Sequence, residues 1–316
     1  MKFKKIYKWL LYRFLEGNFL IFSGLRRSIS PNLFRRLMTP FLKLLIYFVV
    51  PRRRIVKNLG AAFGEAYSIA TKKGLAKGVQ EHFVKNLMDC FLQLGNPNYA
   101  RDIVEIYGIE NLDAALAKRK GVIALGAHIG NFVLPGARLG MEGYPFSILF
   151  RLPPDQRING ILARILPDFH QDIIPSLPRR LAVRRVLNAL KKNEIVFILG
   201  DNLKKGKLRT LLFGQRVPSP RGPVSLALRS GAAAVPLHLI RNYRGGLHLI
   251  IKPEIPMTRN GSLSADIADN TQQLVRYLEN LIRSYPDQWT WLTVRMKKYQ
   301  AESGPQQPKE NLGQNL

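Results

Sequence analysis

The stretch that decides the fold is residues 121–136, which read GVIALGAHIGNFVLPG. It opens with a short aliphatic run closed by glycine, which predicts a buried β-strand over Gly121 to Leu125. This strand carries His128 to its carboxyl end, and flanking glycines allow tight turns on either side. Active sites of open α/β sheets gather at such strand ends, so His128 is a candidate catalytic residue. The competing interpretation is a histidine with a purely structural role.

Apolar runs and helical patterns alternate along the rest of the chain. Further strands are predicted over Phe146 to Phe150, Ile195 to Leu199, Ala233 to Ile240 and Leu247 to Ile251. Helical stretches lie between some of them, at Ile158 to Ile165 and Leu181 to Lys192. This alternation predicts an α/β fold with a mainly parallel sheet flanked by helices.

A carboxylate follows one of these predicted strands. Asp201 ends the apolar run that starts at Ile195. Because the carboxyl ends of parallel strands meet at one edge of a sheet, Asp201 is the candidate partner of His128. The alternative is an ordinary turn or cap carboxylate, since Asp-Asn is favourable turn chemistry. Glu142, in a Gly-Met-Glu-Gly turn, is a weaker candidate for the same role.

Residues 128–132, His-Ile-Gly-Asn-Phe, resemble the signature block of the lipid A biosynthesis acyltransferases, the bacterial lauroyl/myristoyl transferase family within the wider glycerolipid acyltransferases. The resemblance covers roughly residues 50 to 298 through short blocks in the family's order. These blocks are Arg52 to Asn58, Glu81 to Phe83, Gly108 to Leu112, Phe213-Gly214, Pro220 to Pro223, Ser230 to Ala232 and Pro286 to Trp291. The resemblance implies a glycerolipid acyltransferase-like fold.

It also implies a mechanism. In that family a histidine, four spacer residues and an acidic residue form a dyad, in which the histidine deprotonates an acceptor hydroxyl that attacks an acyl thioester. Val133 occupies the acidic position here. Valine can neither accept a hydrogen bond nor balance an imidazolium. Three explanations stay open: a replacement carboxylate such as Asp201, a slow enzyme with an unsupported histidine, or a lipid-binding protein without the reaction.

Candidate substrate-binding residues surround the dyad. Gly130 and Asn131 flank the histidine, and Arg151 follows a predicted strand where the family places a basic residue near a substrate phosphate. Arg164 is predicted as a second basic contact. Gly222 precedes a predicted helix whose first N–H groups can bind a phosphate or a developing oxyanion, although an ordinary helix start explains it equally well.

Two other features near the predicted site leave alternatives open. The basic loop 202–209 is read either as a phosphate or carrier-protein contact or as a solvated loop. Trp289 and Trp291 are expected to anchor the closing segment, in the core or at a lipid interface, without a catalytic role.

Charge is the second strong signal in the sequence. The formal net charge is +28, from 49 Lys and Arg against 21 Asp and Glu, which favours anionic partners. Basic and aromatic residues interleave over residues 2–14, as in helices that lie at a membrane interface. The apolar run Pro40 to Val50 is too short to cross a bilayer, which takes about 20 residues. We therefore predict membrane-associating helices over residues 1–50, an acyltransferase domain over 51–300 and a disordered tail over 301–316.

The remaining composition excludes some classes of function. The single cysteine, Cys90, excludes an intramolecular disulfide, and five histidines without an HExxH motif predict no metal and no cofactor. No nucleic-acid-binding module is recognisable. We predict an acyltransferase at the cytoplasmic face of the inner membrane, with an acyl carrier protein or acyl-CoA donor, a glycolipid acceptor and anionic membrane lipids as partners. The alternative is an inactive family member that binds lipid.

Overall fold

The computed structural model describes residues 29–153, 156–204, 206–294 and 296. The helices are α1 (Pro31–Val49), α2 (Arg52–Phe63), α3 (Ile69–Gly95), α4 (Tyr99–Ile103), α5 (Ile109–Ala117), α6 (Leu134–Gly140), α7 (Gln156–Ile165), α8 (Arg179–Lys191), α9 (Gly222–Ser230) and α10 (Leu263–Ser284). The strands are β1 (Val104–Tyr107), β2 (Val122–Gly126), β3 (Phe146–Phe150), β4 (Asp172–Pro175), β5 (Ile195–Leu199), β6 (Leu208–Leu212), β7 (Gln215–Ser219), β8 (Ala233–Arg241) and β9 (Leu247–Ile251).

A seven-stranded sheet forms the centre of the described chain. Its strand order is β1-β9-β8-β2-β5-β3-β4, and all its neighbours are parallel except the β8–β9 pair. The register sets Gly126, the last residue of β2, opposite Leu199, the last residue of β5. The residues that leave these two strands therefore start from the same level of the sheet, at its carboxyl edge.

Helices cover both faces of this sheet. One face, represented by Val122 and Phe197, packs against α5 and α6. The other face, represented by Ile123 and Val196, packs against α8 and α9. Strands that are buried on both faces need apolar side chains at every position, and this explains the continuous aliphatic runs in the sequence.

A second core joins helices α1, α2 and α3 to residues 289–294 and 296. Phe34 of α1, Leu59 of α2 and Leu92 of α3 are all fully buried there, together with Trp289 and Trp291. The side chain of Ser30 caps α1 by accepting a hydrogen bond from the N–H of Leu33 at 3.3 Å. Helix α1 therefore shares its hydrophobic core with residues of the predicted acyltransferase domain.

The sequence predicted much of this architecture. The strands at Phe146–Phe150, Ile195–Leu199 and Leu247–Ile251 are confirmed with the same limits, and the predicted helices near α7 and α8 are present. Strands β1 and β4, the separate β6–β7 hairpin and α10 were not predicted from the sequence. Helix α10 did carry a start signal, because the Ser262 side chain accepts a hydrogen bond from the N–H of Ala265 at 3.3 Å.

Two of the predictions for the chain ends fall outside the described residues. These are the interfacial helix over residues 2–14 and the tail over 301–316. Among the residues that the structure does describe, no helix combines the length and apolar content that crossing a bilayer requires.

Candidate functional site

His128 lies just beyond β2, at the carboxyl edge of the sheet. Gly126, the last residue of β2, has no room for a side chain, since a Cβ there would lie 2.3 Å from the ring of Phe197. Beyond it, the chain turns so that Ile129 pairs with Trp289 in an isolated antiparallel bridge. The carbonyl of His128 accepts a hydrogen bond from the N–H of Thr290 at 2.9 Å. The histidine loop is thus held by backbone contacts to residues 289 and 290.

Asp201 meets this histidine from the neighbouring strand. The Nδ1 atom of His128 lies 2.7 Å from Oδ1 of Asp201, and the backbone N–H of His128 donates to Oδ2 at 2.9 Å. The indole N–H of Trp289 donates to the same Oδ2 at 2.8 Å. The carboxylate is fully buried, whereas the His128 side chain is 30% exposed. The structure therefore brings together the two residues that the sequence proposed as a pair.

The two groups shift each other's protonation. Burial lowers the pKa of His128, but the charge of Asp201 and the hydrogen bond to it outweigh burial, so the pKa lies above its ordinary value. The nearby charge of Lys204 opposes this rise. Burial raises the pKa of Asp201, but His128 and the three hydrogen bonds bring it below the ordinary value. Asp201 is therefore ionised at neutral pH.

The free side of the imidazole is its Nε2 atom. A carboxylate can only accept, so a neutral His128 carries its proton on Nδ1 and presents an unprotonated Nε2. Among the residues that the structure describes, none forms a hydrogen bond with Nε2. The ring of Phe132 packs edge-on against the imidazole, with 4.9 Å between ring centroids and 67° between planes. This arrangement suits a general base.

An apolar cavity lies beside the pair. Its volume is about 540 Å³, including its open mouth. The lining comes from the ends of β2 and β5, from β8, from the start of α9 and from α10, through Leu125, Gly126, Ala127, Gly200, Pro220, Pro223, Leu237, Thr271, Leu274, Val275, Tyr277, Leu278 and Leu281. Ala127 and Gly200 each precede a member of the His128–Asp201 pair, so the cavity and the pair are neighbours.

Val133 does not belong to the His128–Asp201 pair. It is the N-cap residue of α6, and its partly buried side chain packs against the core under the sheet. The carboxylate beside His128 is Asp201, which comes from another strand. Glu142, the weaker sequence candidate, forms an ion pair with Arg138 one helical turn away and is 42% exposed. The alternative assignment of Glu142 is therefore wrong.

Gly130 and Asn131 support the histidine loop. Gly130 has a φ of +55°, and a Cβ there would lie 1.8 Å from the carbonyl oxygen of Leu239. The buried Asn131 directs its amide toward α3, where Nδ2 lies 3.4 Å from Oδ2 of Asp89. Asp89 in turn forms a buried ion pair with Arg241. Both sequence-predicted residues thus contact the protein's own backbone and core.

The other predicted binding residues lie around the site's edge. Arg151 is exposed and directly follows β3, the strand next to β5. Gly222 begins α9, which confirms the predicted helix start, and its neighbour Pro223 lines the cavity. Arg164 is exposed in the last turn of α7, and the structure shows no contact between it and the described site residues. The described residues contain no cluster of His, Cys, Asp and Glu that could hold a metal ion.

One polar contact of the site was not predicted from the sequence. Trp289 was expected in the core or at a lipid interface, and the fully buried indole confirms the core. The hydrogen bond from Trp289 to Asp201 was not expected. The only signal was the block Pro286 to Trp291, which contains Trp289 but does not identify a partner for it.

Fold and site together define an α/β protein with a histidine–aspartate pair and an apolar cavity at the carboxyl edge of a mainly parallel sheet. The model of the bacterial lipid A biosynthesis acyltransferase family matches residues 3–298, and the chain belongs to this family. The family resemblance of the His128 block is thereby confirmed.

Individual relatives are acyltransferases. The chain is similar to the phosphatidylinositol mannoside acyltransferase of Mycobacterium tuberculosis (strain ATCC 25618 / H37Rv), with 27% identity over 195 residues, 59% of this chain and 58% of the relative. It is also similar to the lipid A biosynthesis palmitoleoyltransferase of Escherichia coli (strain K12), with 25% identity over 197 residues, 61% of each chain. The lipid A biosynthesis acyltransferase of Shigella flexneri matches to the same extent. The chain thus spans less than two thirds of these relatives' length.

Proposed function

We propose that this protein transfers a fatty acyl chain from an acyl thioester to a hydroxyl group of a lipid. The observation that carries the proposal is the His128–Asp201 pair, with 2.7 Å between Nδ1 and Oδ1, beside an apolar cavity. A general base activates the hydroxyl in acyl transfer, and an apolar space can hold the fatty chain. Family membership supports this choice of reaction.

In the proposed mechanism, His128 is the general base. Its unprotonated Nε2 removes the proton of the acceptor hydroxyl while the oxygen attacks the thioester carbonyl carbon. Asp201 keeps the Nδ1–H tautomer and balances the charge of the imidazolium. The tetrahedral intermediate then expels the thiolate, which takes the proton back from Nε2. An ester and a free thiol result, and His128 is again neutral.

The apolar cavity is the proposed site of the acyl chain. Its lining is mainly apolar, as a fatty chain requires. A larger side chain at Gly200 tests this, since a Cβ there has only the carbonyl oxygen of Gly126 within 4 Å, at 3.8 Å. We expect Gly200→Leu to fold and to favour shorter acyl donors. Unchanged chain-length preference would contradict the placement.

Basic groups at the rim are proposed to bind the polar part of the substrates. Arg151 and Lys204 flank the strand ends near His128, and Gly222 starts a helix beside the cavity. We propose that these groups bind the phosphates of a phosphopantetheine thioester, on acyl carrier protein or coenzyme A, or of a glycolipid acceptor. Arg164 is proposed as an outer contact on α7.

We propose that the protein associates with anionic membranes at the cytoplasmic face of the inner membrane. The outer face of helix α1 supports the association with an anionic membrane. The inner face is buried, but Leu44 and Phe48 on the outer face are 60% and 73% exposed. Residues 31–63 contain seven Lys and Arg and no Asp or Glu. An exposed apolar stripe with basic neighbours fits an anionic lipid interface.

A vesicle experiment tests this association. We expect sedimentation of the full chain with vesicles that contain phosphatidylglycerol, and weaker sedimentation with phosphatidylcholine alone. Leu44→Ser with Phe48→Ser is expected to reduce binding. Leu211→Ser is the control. Leu211 is also an exposed leucine, at 50%, but it belongs to the β6–β7 hairpin and not to α1. Equal losses in both variants would refute the role of α1.

The first test of the reaction is transfer of a labelled acyl group to total bacterial lipids by the purified full chain. Acyl carrier protein and coenzyme A donors are supplied in separate reactions, and mass analysis identifies the product. We expect labelling that His128→Ala lowers by about 10²- to 10⁴-fold, the usual contribution of a general base. His248→Ala, on β9, is the control. Labelling that survives His128→Ala would exclude the mechanism. If the wild-type protein labels no lipid with either donor, the inactive lipid-binding alternative is favoured.

A further inference from the structure

The segment that follows α10 is fixed to the sheet next to the catalytic pair. The Gln288 side chain accepts a hydrogen bond from the N–H of Arg241 at 3.0 Å and donates one to its carbonyl at 2.7 Å. The carbonyl of Gln288 accepts a hydrogen bond from the N–H of Gly130 at 3.0 Å. Trp289 is the next residue, so its position relative to His128 is set by backbone contacts on both sides.

The two oxygens of the Asp201 carboxylate have different partners. Oδ2 accepts from the backbone N–H of His128 at 2.9 Å and from the indole N–H of Trp289 at 2.8 Å. Oδ1 lies 2.7 Å from Nδ1 of His128. A carboxylate that turned partway about its Cβ–Cγ bond would break all of these contacts, whereas a half turn only exchanges its two equivalent oxygens. The Trp289 indole, which is fully buried, therefore opposes this rotation.

We propose that Trp289 is a positioning residue, whose indole N–H holds the Asp201 carboxylate in the orientation that keeps Oδ1 on the His128 imidazole. The inference rests on the proposed function, and it assigns to a core tryptophan a part in the reaction that packing alone does not require. Trp289 touches no reacting atom. It acts through Asp201, which sets the tautomer of the base.

Electrostatics supports this role. Burial opposes the charged form of Asp201, and the hydrogen bond from Trp289 is one of the interactions that lower the carboxyl pKa in spite of burial. Without that donor, Oδ2 keeps only the backbone N–H of His128. The carboxylate is then less constrained and can turn Oδ1 away from Nδ1. An imidazole released in this way can adopt the Nε2–H tautomer, which cannot act as the base.

Trp291 provides a matched control. It is also fully buried, and its ring lies 4.8 Å from that of Trp289 at 72°. Its indole N–H donates to the carbonyl of Pro286 at 2.7 Å and not to a carboxylate. Trp289→Phe and Trp291→Phe therefore remove the same atoms from the same core, but only Trp289→Phe removes a hydrogen-bond donor of Asp201.

The experiment compares both variants by steady-state kinetics, thermal unfolding and nitrogen-15 NMR of the histidine side chains. We expect Trp289→Phe to lower kcat roughly 10- to 100-fold with little change in the KM of the acyl donor, the size of a hydrogen bond to a charged group. We expect its neutral His128 to show a mixture of tautomers. Trp291→Phe should lose as much thermal stability as Trp289→Phe. Its His128 should keep the Nδ1–H tautomer, and the variant should keep most of its kcat.

An unchanged His128 tautomer and kcat in Trp289→Phe would overturn the inference, as would equal changes in Trp291→Phe. The NMR comparison needs no turnover, so it still decides the inference if the protein transfers no acyl group. If Trp289→Phe does not fold, Asp201→Asn replaces it. The indole N–H resonance of Trp289 should then shift more than that of Trp291, and an unshifted Trp289 resonance would contradict the proposal.

Discussion

Replacing Asp201 with asparagine is the sharpest test of the proposed catalytic pair. Oδ2 of Asp201 faces two N–H donors, from the His128 backbone and the Trp289 indole. The single oxygen of an asparagine must take that position, because an amide NH₂ there would face both donors. The NH₂ group then points at Nδ1 of His128, which becomes an acceptor. The imidazole proton moves to Nε2, and the base is lost.

The expected loss of kcat is large because Asp201→Asn changes the tautomer of His128 and does not merely weaken a hydrogen bond. In serine proteases the corresponding substitution lowers kcat about 10⁴-fold. We expect a loss of about 10³- to 10⁴-fold in Asp201→Asn, equivalent to about 4–5.5 kcal/mol of transition-state stabilisation. The melting temperature should change little, since every hydrogen-bond position around residue 201 keeps a partner.

The assay is acyl transfer by the purified variant beside a second histidine–aspartate pair. Asp287 lies 3.3 Å from Nε2 of His82 on α3, so Asp287→Asn makes the same chemical change in a pair without a proposed catalytic role. We expect Asp287→Asn to keep activity. If Asp201→Asn retains transfer within about tenfold of the wild type, Asp201 does not set the tautomer of the base.

Three further predictions concern the same loop. The transfer rate should fall as pH falls through the raised pKa of His128, that is, starting above the ordinary value of 6.5, because protonated imidazole cannot act as the base; a rate that stays flat down to pH 6 would contradict this. Val133→Glu should lower the melting temperature without raising the rate, since the side chain packs in an apolar core and Asp201 already binds His128; a faster variant would show that the pair is incomplete. We expect Gly130→Ala to lower the free energy of unfolding by about 3 kcal/mol, because of the positive φ and a collision with Leu239. Gly143→Ala should lower it by about 1 kcal/mol, since φ is +86° there but the space is open. Equal losses in denaturant titrations would argue against the collision.

The sequence predicted those parts of the fold that depend on local pattern. β2, β3 and β5 are buried on both faces, so their apolar runs are continuous and their limits were found within one residue. β4 was missed because it contains only four residues at the edge of the sheet, with Asp172 exposed. The strands of the β6–β7 hairpin contain two charged residues, Arg209 and Arg216, and polar residues at Thr210, Gln215 and Ser219, which weakened the apolar signal.

The candidate site was also predicted from the sequence only in part. A glycine-flanked histidine after one strand and an aspartate after another are visible in the sequence, and strand order makes them neighbours. The sequence alone therefore determined the sheet's central strands, the family resemblance, and the candidate pair His128 and Asp201. Whether the two residues meet depends on β2 and β5 being adjacent, in a register that is set by contacts between distant segments.

Only the tertiary structure decided three further points. It showed that Val133 is the partly buried N-cap residue of α6, packed against the core, and that Asp201 supplies the carboxylate at His128. It showed that Trp289, 88 residues after Asp201, donates to the same carboxylate. It also showed that Asn131 is turned toward α3. Hydrogen bonds between residues so far apart in sequence leave no periodic trace, because they arise from packing the elements and not from the pattern within any one of them.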